Sequence, residues 1–368
     1  MSGPLPAGEA RRIGQAEHHD GLAARNRRLA VGDTIALRIR RDDRDAAAAY
    51  QDFAVPYRPA MRVLDALNWV AENAAGDLAY RWFCGSKMCG SCAVRMNGRE
   101  VLACWEAVEP RMTIEPLRNL PVIRDLVVDR GPFERKVAEL EPWIERPAPY
   151  AGFPEPLTHK QMKHASKALD CIGCMCCYSA CPVIGLGHLT DFAGPAPLVQ
   201  LGQTALDPRN DPDKVARSLA RSGIFHCVSC YKCEEVCPAA IPIVSQVIEP
   251  LKARAAVLVP TMAAHPLALR AVVAERGRVD PTALVLRVQG MRALANLMRA
   301  FRLLVRGKID PIRSFIKRRT AAADAARRWL AHVPAKWTPV RRQEHAPKLD
   351  PRAGPDSEGT GHDRGGPR

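Results

Sequence analysis

Thirteen cysteines stand in three tight groups, and their spacing limits what this chain can fold around more than any other feature. The groups run from Cys84 to Cys104, from Cys171 to Cys181 and from Cys227 to Cys237, and no cysteine lies outside them. The opening residues Met1-Ser2-Gly3-Pro4-Leu5-Pro6 lack the apolar core of a signal peptide, and Arg11-Arg12 leads into a polar stretch, so a reducing, cytosolic compartment is expected. In that setting clustered thiols read as metal ligands and not as disulfides.

Cys84, Cys89, Cys92 and Cys104 form C-x4-C-x2-C with a distant fourth cysteine, the plant-type [2Fe-2S] spacing. Four thiolates are what two iron ions need beyond their bridging sulfides. Gly85, Ser86, Gly90 and Ser91 keep the loop free of bulk, so backbone N–H groups can approach the sulfurs. A structural zinc site would instead present two short C-x2-4-C pairs.

The other two groups each read C-x2-C-x2-C-x3-C-P, the bacterial ferredoxin run, in which the fourth cysteine serves the other cluster. One [4Fe-4S] cluster is therefore expected on Cys171, Cys174, Cys177 and Cys237. The third cluster is expected on Cys181, Cys227, Cys230 and Cys233, as [4Fe-4S], or as [3Fe-4S] without Cys230. Pro182 and Pro238 end local helical hydrogen bonding, which lets the last cysteine of each run point across to its neighbour. Cys176 is left over and reads as a small apolar core residue.

Thr34 to Arg40 alternates as a half-buried strand, Val63 to Val70 has helical spacing, and Asn97-Gly98 joins two strand-like runs as a hairpin turn. These elements suggest a small α+β domain that holds the first cysteine group. Pro142, Pro147, Pro149, Pro154 and Pro156 mark a connector to a helical domain that holds the other two. The expected divisions are a flexible tail at 1–30, the first domain at 31–135, the connector at 136–165, the two-cluster domain at 166–252, a basic helical extension at 253–335 and a disordered tail at 336–368.

The formal net charge is +15, yet residues 1–250 carry 30 Lys+Arg against 30 Asp+Glu, so the whole excess lies beyond Pro250. A nucleic-acid reader carries its basic surface on the folded reading module, so nucleic acid is not expected as a partner. In the extension Leu286, Leu294, Leu297, Phe301 and Leu304 share one helical face, and Arg287, Arg292, Arg299, Arg302 and Arg306 share another. Such a helix can lie on an anionic membrane surface, each Lys or Arg contributing about 1 kcal/mol there, or pack on a protein partner. No run approaches the roughly 18 uninterrupted apolar residues of a spanning helix.

With these motifs placed, the chain resembles the iron–sulfur subunit of succinate dehydrogenase and fumarate reductase. The resemblance rests on Cys84-Gly85-Ser86-Lys87-Met88-Cys89-Gly90-Ser91-Cys92, Asn97-Gly98-Arg99, Leu102-Ala103-Cys104 and Ile114-Glu115-Pro116-Leu117. It extends through Val122 to Asp129, Asp170-Cys171-Ile172-Gly173-Cys174, Gly194-Pro195-Ala196 and Cys233 to Pro238, and covers about residues 31 to 252. It implies an α+β fold class: a [2Fe-2S] ferredoxin-like (β-grasp) domain, then an α-helical ferredoxin domain. It also implies a partner flavoprotein with covalent FAD that handles succinate and fumarate, a membrane anchor that handles quinone, and a peripheral place on the cytoplasmic side of the bacterial plasma membrane. Family members usually lack a cysteine where this chain has Cys230, which is why they hold [3Fe-4S] as the third cluster. Ubiquinone-linked members carry Trp and His where this chain has Val183-Ile184-Gly185-Leu186 and Val228.

The chain has no G-x-G-x-x-G fingerprint and no acid–base constellation, so no catalytic residue is expected on it and substrate chemistry is expected on the flavoprotein. His188 and His226 read as polar residues near clusters. Two alternatives share the paired ferredoxin runs. One is a subunit of a thiol:fumarate reductase, a heterodisulfide-reductase-like or a glycolate-oxidase-like complex. The other is a free ferredoxin-type carrier.

Overall fold

The computed structural model describes residues 29–290, apart from 43–47, 148, 151, 154, 156 and 190, together with 302, 305 and 306. The fold starts from alternation. In strand β1 (Thr34–Arg41) Ile35, Leu37 and Ile39 point inward while Arg38 faces solvent. β2 (Ala49–Pro56) pairs with it antiparallel, Leu37 opposite Phe53. Helix α1 (Val63–Asn73) buries Val63, Leu64, Ala66, Leu67 and Val70, and the Asp65 carboxylate accepts from the Arg62 amide at its N-terminus at 2.7 Å.

β3 (Ala93–Met96) and β4 (Arg99–Leu102) form the expected hairpin. Asn97 at φ 51° and Gly98 at φ 83° supply the two left-handed residues that a primed two-residue turn requires. β5 (Arg111–Glu115) runs parallel to β1 and antiparallel to β3, giving a mixed five-stranded sheet in the order β2-β1-β5-β3-β4. β6 (Val122–Arg124) and β7 (Val127–Val128) make a separate small ribbon.

The second half is helical. α2 (Gly131–Glu139) precedes the proline-marked connector, which holds no helix or strand among its described residues from 141 to 158. Buried Lys214 donates from Nζ to the carbonyls of Glu141 and Trp143 and so ties the connector down. α3 (His159–Ala168) opens on a Thr158–Gln161 capping box. The domain continues with α4 (Cys176–Ser179), α5 (Pro195–Ala205), α6 (Pro212–Arg221) and α7 (Lys232–Glu235). A π-helical segment, Ile243–Ile248, then leads into α8 (Glu249–Leu258).

The expected divisions at 135/136 and 165/166 fall inside α2 and α3, and two further differences concern the C-terminal part. The division at 252/253 falls inside α8, because Leu251 and Ala255 both pack into the core of the helical domain. A helix running unbroken through Leu286 and Arg306 does not form: after α9 (Ala264–Arg276), α10 (Pro281–Gln289) ends at Gly290, whose φ of 54° and ψ of −133° leave the helical region. Leu294, Leu297, Phe301, Leu304, Arg292 and Arg299 lie outside the described residues, as do the N-terminal tail up to residue 28 and the C-terminal tail at 336–368.

Candidate metal centres

The loop from Cys84 to Cys92 is shaped to aim amides at sulfur. Gly85, Lys87 and Gly90 take left-handed φ values of 63°, 63° and 69°, curling the backbone around its own cysteines. Cys84 Sγ accepts from the amides of Ser86 at 3.4 Å and of Met88 and Cys89 at 3.3 Å, and Cys104 Sγ accepts from the Lys87 amide at 3.4 Å. The amides of Ser86, Cys89 and Met88 lower the Cys84 thiol to about 6. Burial pushes Cys92 up to about 12. Cys92 enters β3 and Cys104 lies just after β4, so the hairpin brings the late ligand back beside the loop. Thiols ringed by inward amides fit a [2Fe-2S] cluster, which leaves negative charge on its sulfurs.

Cys171, Cys174, Cys177 and Cys237 line one cavity, walled on its apolar side by Val199, Ile241 and Ile243. Cys237 lies within electrostatic reach of Cys174 and Cys171, and its sulfur accepts from the Ile241 amide at 3.4 Å. Burial holds Cys177 well above the ordinary thiol range. A gap bounded by four thiols and lined by apolar side chains fits a cubane cluster.

The remaining four also meet. Cys181 faces Cys230 and Cys227, and Cys233 faces Cys227, Cys181 and Cys230. Burial raises both Cys181 and Cys233, whereas Cys230 is exposed. The two ferredoxin runs share a backbone solution. α4 and α7 are each four residues long, and each follows a left-handed residue that is not glycine, Met175 at 65° and Tyr231 at 63°. That turn reverses the chain between the second and third cysteine of each run. Among the described residues no three His, Cys, Asp or Glu side chains close to the spacing of a single metal ion. The thiols stand around gaps.

Cys176 is 0% exposed, as a small core residue should be, but its thiol hydrogen-bonds to Cys174 and lowers it. His226 lies in the short turn just before Cys227, and the His188 side chain lies outside the described residues. Three further groups were not singled out by motif. Lys252, 4% exposed, donates from Nζ to the Cys227 carbonyl at 2.8 Å and to Ser229 Oγ at 3.4 Å. Arg130 donates to the Gly173 carbonyl at 3.3 Å. Glu100 on β4 is buried against α4. A lone Lys within an apolar helical stretch was a signal for the first; Arg130 and Glu100 had none.

Residues 36–135 match the 2Fe-2S iron-sulfur cluster binding domain family, and residues 167–241 match the 4Fe-4S dicluster domain family. The fumarate reductase iron-sulfur subunit of Mycobacterium tuberculosis is 33% identical over 225 residues, which cover 57% of this chain and 88% of that one. This chain belongs to the fumarate reductase iron–sulfur subunit family. The family's subunit in Haemophilus influenzae is 35% identical over 204 residues, 50% of this chain and 78% of its own length. A chain of the Mycobacterium smegmatis Sdh1 complex in the apo form superposes with a TM-score of 0.56 at 28% identity, covering 61% of this chain and 96% of that one. A subunit of the fumarate reductase (CoM/CoB) of Methanothermobacter marburgensis is 37% identical over 205 residues, 56% of this chain. This chain spans 40% of that relative's length. Like its family, the chain pairs a 2Fe-2S domain with a 4Fe-4S dicluster domain. No helix among the described residues is long and apolar enough to cross a membrane.

Proposed function

We propose that this chain is the electron-transfer subunit of a succinate dehydrogenase/fumarate reductase complex, linking a flavoprotein that handles succinate and fumarate to a quinone at a membrane anchor. The observation that carries the reading is that exposed apolar and aromatic side chains flank the cysteine sets at both ends of the row. Beside Cys84, Phe83 is 82% and Met88 71% exposed, with Trp82 also open, an apolar rim that a partner would cover. At the far end Val228 and Tyr231 are exposed beside Cys227 and Cys230. The set of Cys171, Cys174, Cys177 and Cys237 lies between them, Cys174 and Cys177 buried and Cys171 and Cys237 half-buried. Such an arrangement takes electrons at one face and delivers them at another.

In this reading Cys84, Cys89, Cys92 and Cys104 hold [2Fe-2S], Cys171, Cys174, Cys177 and Cys237 hold [4Fe-4S], and Cys181, Cys227, Cys230 and Cys233 hold a second [4Fe-4S]. When bound, each cluster supplies reversible one-electron chemistry, which splits the electron pair of a flavin into single steps. The protein's part is to fix the sulfurs and aim amides at them. Lys252 places a cation under the Cys227 loop, beside the four-thiolate third set. The subunit sits peripherally on the cytoplasmic side of the membrane.

Purification of the chain from its own cells tests the assignment. A flavin-containing subunit and a membrane subunit are expected with it, and iron matching three clusters. Recovery alone, or with a thiol-handling subunit, would count against the reading. The likeness to the Methanothermobacter protein favours that second outcome over a free carrier.

A further inference from the structure

Gly90 belongs to the first cysteine loop and Cys174 to the second set, yet their backbones touch. A Cβ built on Gly90 would stand 2.7 Å from the Ile172 carbonyl oxygen, 2.9 Å from Cys174 Cβ and 3.0 Å from Cys174 Cα. Two of those three atoms are backbone, and none can swing aside as the end of a long side chain could. Gly90 also has a φ of 69°, so glycine is required there twice over.

Cys174 is embedded on the first domain's side of the junction. It packs in the same core as Cys92 and Cys104, together with Cys176, whereas Cys177 and Cys233 pack in the core of the helical domain. Arg81 and Arg130 line the small cavity that opens beside Gly90 and Cys174.

We propose that Cys174 is the thiolate at which an electron from the first centre reaches the second, and that Gly90 is the positioning residue that keeps this gap closed. The inference rests on the reading that these two sets hold clusters. In the step the first centre is oxidised by one electron and the second is reduced by one. No bond forms or breaks and no proton moves.

The test uses the purified complex under reducing, anaerobic conditions, with both clusters paramagnetic. The magnetic coupling between them is measured in the native protein, in Gly90→Ala and in Gly32→Ala. Gly32 is the control, since it also has a positive φ, 98°, but has open space where a Cβ would go and lies outside every cysteine loop. Native coupling should exceed what through-space dipoles give. Gly90→Ala should lose that excess several-fold and slow cluster-to-cluster transfer by a similar factor, with iron and sulfide content unchanged, while Gly32→Ala keeps both.

Native coupling that dipoles alone account for would overturn the proposal, and so would a fully loaded Gly90→Ala indistinguishable from Gly32→Ala. If Gly90→Ala fails to load its clusters, the native measurement decides. Absence of both cluster signals from the native complex would overturn the cluster assignment and this inference together.

Discussion

The Ser179 hydroxyl donates a 2.8 Å hydrogen bond to Glu100 Oε1, joining α4 of the helical domain to β4 of the sheet domain. Both residues are buried, and Ser179 Oγ also accepts from the Arg118 amide at 2.8 Å. Removing the hydroxyl leaves the carboxylate short of a donor and the amide short of an acceptor, away from water. Ser179→Ala should therefore destabilise the folded chain by about 1–3 kcal/mol. Anaerobic urea unfolding of the cluster-loaded protein measures it. An unchanged midpoint would show that the junction does not depend on this bond.

Cys176 should tune the second cluster without binding it. Its hydrogen bond to Cys174, together with full burial, keeps its own thiol well above the ordinary range, so it stays protonated and donates. A donor on a ligand sulfur favours the more negative, reduced state and raises the reduction potential. Cys176→Ala should lower the potential of the Cys171–Cys237 cluster, and Cys176→Ser should restore most of it. Redox titration followed by EPR reads this directly, with the [2Fe-2S] potential as internal reference.

Cys230 decides the type of the third cluster. With four thiolates in reach, the oxidised native protein should show no stoichiometric three-iron EPR signal, and Cys230→Ala should acquire one with the loss of one iron per chain. Exposure of Cys230 makes the change structurally mild. A three-iron signal in the native protein, or none in the variant, would remove Cys230 from the ligand set.

Stripping the clusters should reveal an order of reactivity among the first four cysteines. The Cys84 thiol lies at about 6 because three amides point at it, and it is partly exposed, so above that pH it is mostly thiolate. Cys92, pushed up to about 12 by burial, stays protonated. Iodoacetamide at neutral pH should therefore modify Cys84 well before Cys92 in the cluster-free chain, and the gap should narrow as the pH falls below 6. Peptide mapping of a time course checks both points.

Lysine and glycine positions show where reading the chain by itself stops. Cys84, Cys89 and Cys92, and each C-x2-C-x2-C run, lie within a few residues of one another, so the cysteine groups follow from spacing. The crossing of Cys181 and Cys237 is also legible, because each proline forces its cysteine out of the local helix. Hairpin and α1 follow from Asn97-Gly98 and from helical periodicity. The end of α10 at Gly290 is not legible, because apolar periodicity continues past a glycine that the backbone uses to leave the helix.

Sequence alone determined which cysteines group together and that the chain has a sheet half and a helical half, since both are properties of neighbours along the chain. Only the tertiary structure decided that Gly90 touches Cys174 and that Lys252 reaches the Cys227 carbonyl. Those relations join residues far apart in the chain, and the packing of one element on another sets them, which no local spacing encodes.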